Sequence, residues 1–221
     1  MMKAKQKKQK ANQKNLPLTD QALAYLRDAI QSQQIKPGQE IDFIALAKEL
    51  GMSRTPIRES IRQLVTEGLF ELKQGGSVCV TQLSAEEGES FYLVRDKLEV
   101  AAGRAAAIHI SGLEIEMLRS NLTLFDNAHS EPDTLSHIDN QFHELLYDAC
   151  NNSYLSQELK LLRIKIGLLM GRPFSNPARI DNAYKEHLSI VKALETHNPD
   201  LVEKAVSNHY LNARKSRLSL L

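Results

Sequence analysis

The stretch Ile44–Gly76, IALAKELGMSRTPIRESIRQLVTEGLFELKQGG, constrains the fold of this 221-residue chain more than any other. The spacing predicts two short amphipathic helices on either side of a tight corner. Ile44, Leu46, Ala47 and Leu50 supply the apolar side of the first. Gly51 makes the corner, because glycine enters positive φ without a steric penalty. Ser53 is placed to cap the second helix, and Pro56 falls in its first turn, where a missing N–H does no harm. Ile57, Ile61, Leu64 and Val65 recur at helical spacing and must face a core. Arg54, Arg58 and Arg62 lie off that stripe, four residues apart, on a face left free. After Gly68, LFELKQGGSVCVT reads as two short strands around a Gly75-Gly76 turn. An arginine row on an exposed helix is more often a solvated face than a binding site. Helix, corner, helix and hairpin in this order, however, describe a winged helix-turn-helix. An arginine row that begins at the N-terminal end of its second helix suits the DNA major groove.

Charge follows the same division. The net charge of +1 hides an asymmetry: residues 1–81 carry 13 basic and 8 acidic side chains, residues 82–221 carry 15 and 19. The positive part holds the helix-turn-helix pattern, as contact with phosphates requires. Cys79 and Cys150 lie far apart, which argues for a reducing compartment and against a disulfide framework. No apolar run is long enough to span a membrane, and no apolar stretch follows the basic N-terminus as in a secretory signal. A cytoplasmic location without a membrane partner is expected.

Three regions are expected. Residues 1–15 form a disordered basic tail: positions 1–14 hold six lysines and no acid, a composition that cannot bury a core but can touch a DNA backbone. Residues 16–82 form the winged helix-turn-helix domain. It opens with a helix from Leu18 to Ile35 whose stripe is Leu23, Leu26, Ala29 and Ile30, capped by Thr19 or Asp20 and ended by Pro37 and Gly38. Ile41 is a short extended piece, and Asp42 caps the helix that follows. Residues 83–221 form a helical domain that starts with a capping box at Ser84. Its period gives six helices, about 84–110, 112–128, 132–150, 152–170, 177–197 and 199–218, punctuated by Pro132, Pro173, Pro177 and Pro199. The expected fold class is mostly α: an N-terminal winged helix-turn-helix with a small β wing, then an all-α antiparallel helical bundle.

The helical domain carries one polar constellation. Asp139 and His143 are four residues apart and so share a helix face, about 40° from each other. They edge an apolar stripe of Leu135, Ile138, Phe142, Leu145, Leu146 and Ala149. His187 sits mid-stripe among Ile180, Ala183, Tyr184, Leu188, Val191 and Leu194. His209 sits mid-stripe among Val202, Ala205, Val206 and Ala213. A lone inward histidine is usually a hydrogen-bonded core residue. Three with an aspartate on inner faces instead suit a divalent cation, held by one carboxylate oxygen and three imidazole nitrogens. An unpaired ionised Asp139 inside a bundle would cost several kcal/mol. His109, His129, His137 and His197 have no inward placement and read as surface residues. Neutral imidazoles are needed for such a site, so metal affinity is expected to fall below about pH 6.

At the level of families, IKPG, LAKELGMSRTPIRESIRQLVTEGL and the glycine wing resemble the GntR family of bacterial transcription regulators over about residues 16–81. The resemblance implies that Arg54 and Arg58 read guanines and that Gly75 approaches the minor groove. Ser53, Thr55, Arg62 and Gly76 join them as expected DNA-binding residues. Ala45 departs from relatives that place a DNA-contacting arginine in the second helix. Further on, FYLVRDKLEVAAGRAAA, the Asp139–His143 pair, A-x-x-EH-x-x-I-x-x-AL and a late histidine resemble the FCD ligand-binding domain of the FadR branch. Six helices match its VanR-like variant. That resemblance implies zinc, nickel or manganese at Asp139, His143, His187 and His209. It also implies that Arg95 meets the carboxylate of an effector; read alone, Arg95 is an ion-pair partner of Glu99 four residues on.

The implied function is a metal-containing, ligand-responsive transcription regulator, a repressor rather than an enzyme. It would bind a palindromic double-stranded DNA operator as a homodimer and be released by a small organic acid. Two alternatives remain: a purely structural metal in a closed site, or a metalloenzyme fused to a DNA-binding module. The second would need Glu144 or Glu186 as a base, and Glu186, beside His187, is expected to turn away from the centre.

Overall fold

The computed structural model describes residues 16–32, 34–128, 131–168, 174 and 177–218. The basic tail and His129 lie outside the described residues. The chain divides into two compact units, one ending at Gln82 and one starting at Leu83.

In the first unit the helices are α1 (Leu18–Gln31), α2 (Phe43–Leu50) and α3 (Arg54–Thr66), followed by strands β1 (Phe70–Leu72) and β2 (Val78–Val80). The first helix ends at Gln31, four residues before the expected Ile35, with Ser32 closing it through Asp28 and Ile30 carbonyls. Pro17 precedes it, and Thr19 does not cap: its hydroxyl donates to Glu59 of α3. Asp42 does cap α2, accepting from the Ile44 and Ala45 N–H groups. Gly51 ends α2 in the left-handed region at φ 64°, which makes the corner. Ser53 stands at the N-cap position of α3 without a capping hydrogen bond, so its hydroxyl remains exposed.

Ala22, Leu23, Leu26, Ala29 and Ile30 are buried on α1, and Ile57, Ile61 and Leu64 on α3, with Leu69, Phe70 and Val80 completing the core. Ile44 was expected in that core and is 61% exposed. The helix is only eight residues long, and Leu46 and Ala47 suffice to seat it. β1 and β2 pair antiparallel, Phe70 opposite Val80 and Leu72 opposite Val78. The Gly75-Gly76 turn has φ of 100° and 88°, a geometry that side chains with a Cβ rarely adopt. Residues 38–41 line the other edge of β2, where Ile41 N–H donates to the Val78 carbonyl.

The second unit contains α4 (Ala85–His109), α5 (Gly112–Asn127), α6 (Pro132–Ala149), α7 (Ser153–Lys165) with a short 3-10 turn (Ile166–Leu168), α8 (Pro177–Leu194) and α9 (Pro199–Leu218). Capping boxes at Ser84–Glu87 and Ser111–Glu114 start α4 and α5. α4 packs along α9 and against α6 and α7, while α5 packs on α6 and α8. Ala102, Ala106, Leu118, Phe142, Leu146, Ile190, Val206 and Tyr210 belong to one buried cluster. Small residues on α4 allow the close approach of α9. A Cβ built on Gly103 would lie 2.8 Å from Val206 Cγ2 and 3.3 Å from Val202 Cγ1. Both valines are buried and stiff at χ1. Gly103→Ala is therefore expected to destabilise the protein by about 1–2 kcal/mol, as overpacking outweighs the ~1 kcal/mol that alanine adds to a helix. Urea denaturation at constant m-value measures it.

Candidate metal centre and nucleic-acid interface

Three helices of the second unit each send one imidazole to the same point. His143 on α6, His187 on α8 and His209 on α9 are all buried, and one ring nitrogen from each lies within 4.8 Å of the others. Asp139, one turn before His143, stands beside two of them. Its Oδ1 is 3.5 Å from His187 Nε2 and 3.8 Å from His143 Nε2. The structure thus brings together the four residues that the helix faces pointed to.

Three of these four have a hydrogen-bond partner outside the cluster. Arg163 on α7 holds Asp139 Oδ2 and donates through Nε to Asn140 Oδ1 (2.9 Å). The Tyr210 hydroxyl and His143 Nδ1 are hydrogen-bonded at 2.8 Å. His209 Nδ1 and Glu186 Oε2 are hydrogen-bonded at 2.9 Å. The same Glu186 oxygen accepts from Arg179 (2.8 Å), and Oε1 accepts from Asn212 (2.9 Å). His187 is the exception. It is fully buried, stacked on Phe142 at 4.1 Å, and neither ring nitrogen has a hydrogen-bond partner among the described residues.

Burial lowers the pKa of all three imidazoles. In His143 the charges of Arg163 and the other two histidines add to it; in His187 those of His209, Arg179 and Arg163 do. In His209 the Glu186 carboxylate opposes the shift in part. Burial would raise the Glu186 carboxyl, but the His209 hydrogen bond and the Arg179 charge overcome it and hold it below the usual carboxylate range. The rings are therefore neutral, the state in which a lone pair is free for a cation. A buried imidazole with two orphaned nitrogens, among two other imidazoles and a carboxylate oxygen, is a donor set that fits a divalent transition metal. Leaving a buried polar atom unbonded costs ~1–3 kcal/mol.

Arg95 lies beside this cluster, 3% exposed. Its Nη2 is 3.0 Å from Glu99 Oε1, which also accepts from the Tyr147 hydroxyl at 2.6 Å. Its guanidinium lies 4.6 Å from the centre of the Tyr210 ring. Its Nε has no partner among the described residues. The ion pair with Glu99 is the one its spacing gave. Glu144 is exposed. Glu186 does not turn away as expected, because it reaches His209 on the neighbouring helix rather than the His187 side. Arg163 and Tyr210 were missed, and Glu186 was assigned away from the centre. A signal existed for Glu186: Arg179, Ala183, Glu186 and Ile190 are buried at helical spacing on a face adjoining that of His187.

In the first unit, Arg54, Arg58 and Arg62 form an exposed row on α3, with Ser53 and Thr55 exposed at its N-terminal end. None of the three guanidiniums pairs with a carboxylate among the described residues. Glu59, the single acid of α3, is held back by Thr19. Gly75 and Gly76 are exposed at the tip of the hairpin, and Ala45 is exposed on α2. Unpaired surface cations on a helix that projects beside a hairpin are free to meet phosphates and base edges.

Replacing His187 tests the reading of the orphaned ring. In metal-free protein, His187→Leu is expected to raise stability by about 1 kcal/mol, since two polar atoms without hydrogen bonds leave a buried cage of aromatic rings. Denaturation in the presence of a chelator measures it. A loss of stability would mean that the ring is bonded where it stands.

Comparison with known proteins matches each of the two units to a family. Residues 18–80 match the bacterial regulatory proteins of the gntR family, and residues 90–212 match the FCD domain. The HTH-type transcriptional regulator YdhC of Bacillus subtilis is 27% identical over 84% of this chain and 84% of its own. The HTH-type transcriptional repressor RspR of Escherichia coli is 24% identical over 87% and 86%. A probable D-xylose utilization operon transcriptional repressor of Paenarthrobacter nicotinovorans is 28% identical over 78% and 76%. Among solved structures, E. coli McbR/YncC superposes with a TM-score of 0.83 at 19% identity, covering 89% of this chain and 95% of that one. A GntR regulator from Rhodococcus sp. RHA1 gives 0.73 at 19% identity. Among the described residues no helix is long and apolar enough to cross a membrane. The chain belongs to the GntR family of bacterial regulatory proteins, with a C-terminal FCD domain, and is a transcriptional regulator rather than an enzyme.

Proposed function

We propose that this regulator is a repressor whose hold on a palindromic operator is tuned by a small organic acid through a divalent metal at Asp139, His143, His187 and His209. The observation that carries the reading is His187, buried with neither ring nitrogen hydrogen-bonded among the described residues, at the meeting point of two other imidazoles and the Asp139 carboxylate. Charge supports the anionic effector. The buried ions of this region pair off as Arg95 with Glu99, Arg163 with Asp139, and Arg179 with Glu186. Neutral imidazoles add nothing, so a divalent ion brings two uncompensated positive charges, and an anion is the natural complement. The ion supplies a Lewis-acidic point for an anion's oxygen, and the Arg95 Nε offers a further donor. Zinc, nickel and manganese all suit the donor set.

The repressor acts as a homodimer joined through the helical unit, which exposes Leu93, Val94 and Ile108 on α4 and Leu113, Met117 and Leu124 on α5. Two copies of α3 then address half-sites about one DNA turn apart. The effector regulates by binding two arrangements of the dimer with different affinity. The names of RspR and of the D-xylose operon regulator support repression. A structural metal in a closed site is the second reading, favoured by one observation: Arg95 is already engaged by Glu99.

Thermal melts separate the two. If the proposal holds, a panel of small carboxylates includes one that raises Tm in metal-loaded protein and not after chelation. Under the closed-site reading no carboxylate shifts Tm or DNA affinity in either state. On the DNA side, Arg58→Ala is expected to weaken operator binding by roughly 1–3 kcal/mol and to relax preference at one base, as read by gel shift at fixed salt. Unchanged affinity would remove Arg58 from base reading.

A further inference from the structure

We propose that Glu186 is a positioning residue of the metal centre, fixing the His209 ring so that its Nε2 carries the lone pair offered to the ion; this rests on the metal reading above. The argument begins with the three imidazoles, which differ in what stands behind them. His143 has a phenol, Tyr210, that can donate or accept. His187 has no hydrogen-bond partner among the described residues. Of the three, only His209 is hydrogen-bonded to a carboxylate among the described residues. An ionised carboxylate only accepts, so the proton between them belongs to His209 Nδ1, and the lone pair falls to Nε2.

Glu186 cannot swing away from this task. Its Oε2 is shared by His209 and Arg179, and its Oε1 is held by Asn212. Arg179 and Glu186 come from α8, His209 and Asn212 from α9. The carboxylate is buried, and so is the arginine that compensates its charge. A simple tie between two helices would be met by the Asn212 contact and would not require an ion in the interior. A carboxylate aimed at the outer nitrogen of an imidazole instead orients the ring and strengthens its other nitrogen as a donor. Such partners change metal affinity by about 10–100-fold when removed.

The test uses the full chain, stripped of metal and then titrated with zinc in competition with a chromophoric chelator. Two variants are compared with the native protein, Glu186→Ala and Glu186→Gln. The His209 tautomer is read separately by long-range ¹H–¹⁵N correlation on the metal-free protein. The native protein is expected to show a proton on His209 Nδ1. Glu186→Ala is expected to lose that signature and about 100-fold in zinc affinity. Glu186→Gln, whose carbonyl still accepts, is expected to keep the tautomer and lose about 10-fold. If Glu186→Ala does not fold, the Gln variant and the native tautomer decide. Native zinc affinity in the variants, or a native proton on His209 Nε2, overturns the proposal. If native protein binds neither zinc nor any other divalent metal, the parent reading fails, while the tautomer still judges what Glu186 does to His209.

Discussion

An ion inside a helical bundle must be matched, and this constraint organises the FCD unit. Removing one partner of a buried pair costs about 3–5 kcal/mol, a large share of the stability of a domain. Among the described residues three arginine–carboxylate pairs meet the constraint. Arg95–Glu99 lies within α4, Arg163–Asp139 joins α7 to α6, and Arg179–Glu186 lies within α8 and extends through His209 and Asn212 to α9. The apolar cluster supplies the bulk of the burial, while the polar pairs specify which turn of each helix faces which neighbour. The imidazoles are held neutral among them, with His187 left unbonded in an aromatic cage.

Arginine serves the two units in opposite ways. On α3 it is exposed and unpaired along one face, with the single nearby acid tethered elsewhere. Inside the FCD unit it is sequestered and matched. A cation left unpaired on a surface is one available to a polyanion, whereas a paired one in a core contributes register.

Much of this was legible in the sequence because it depends on local rules. The helix-turn-helix, the hairpin about Gly75-Gly76 and the capping box at Ser84 follow from spacing and turn chemistry within a few residues. The inward placement of Asp139, His143, His187 and His209 followed from period alone. The misses have a common physical source. Ile44 and Thr19 were assigned from local pattern and were redirected by partners distant in sequence: Glu59 drew the Thr19 hydroxyl, and a short helix left Ile44 outside. Arg163 escaped notice, and Glu186 was assigned outward, because a charged residue on an apolar stripe reads as an edge position. Whether it turns inward depends on a counter-ion contributed by another helix. Arg163 meets Asp139 from 24 positions away, and Glu186 meets His209 from 23.

The grip of Arg163 on the outer oxygen of Asp139 carries an evolutionary corollary. Substituting the aspartate alone strands a guanidinium in the interior, and substituting the arginine alone strands an anion. Neither residue can be lost alone without that cost. The two codons must change together, or pass through an intermediate that folds poorly.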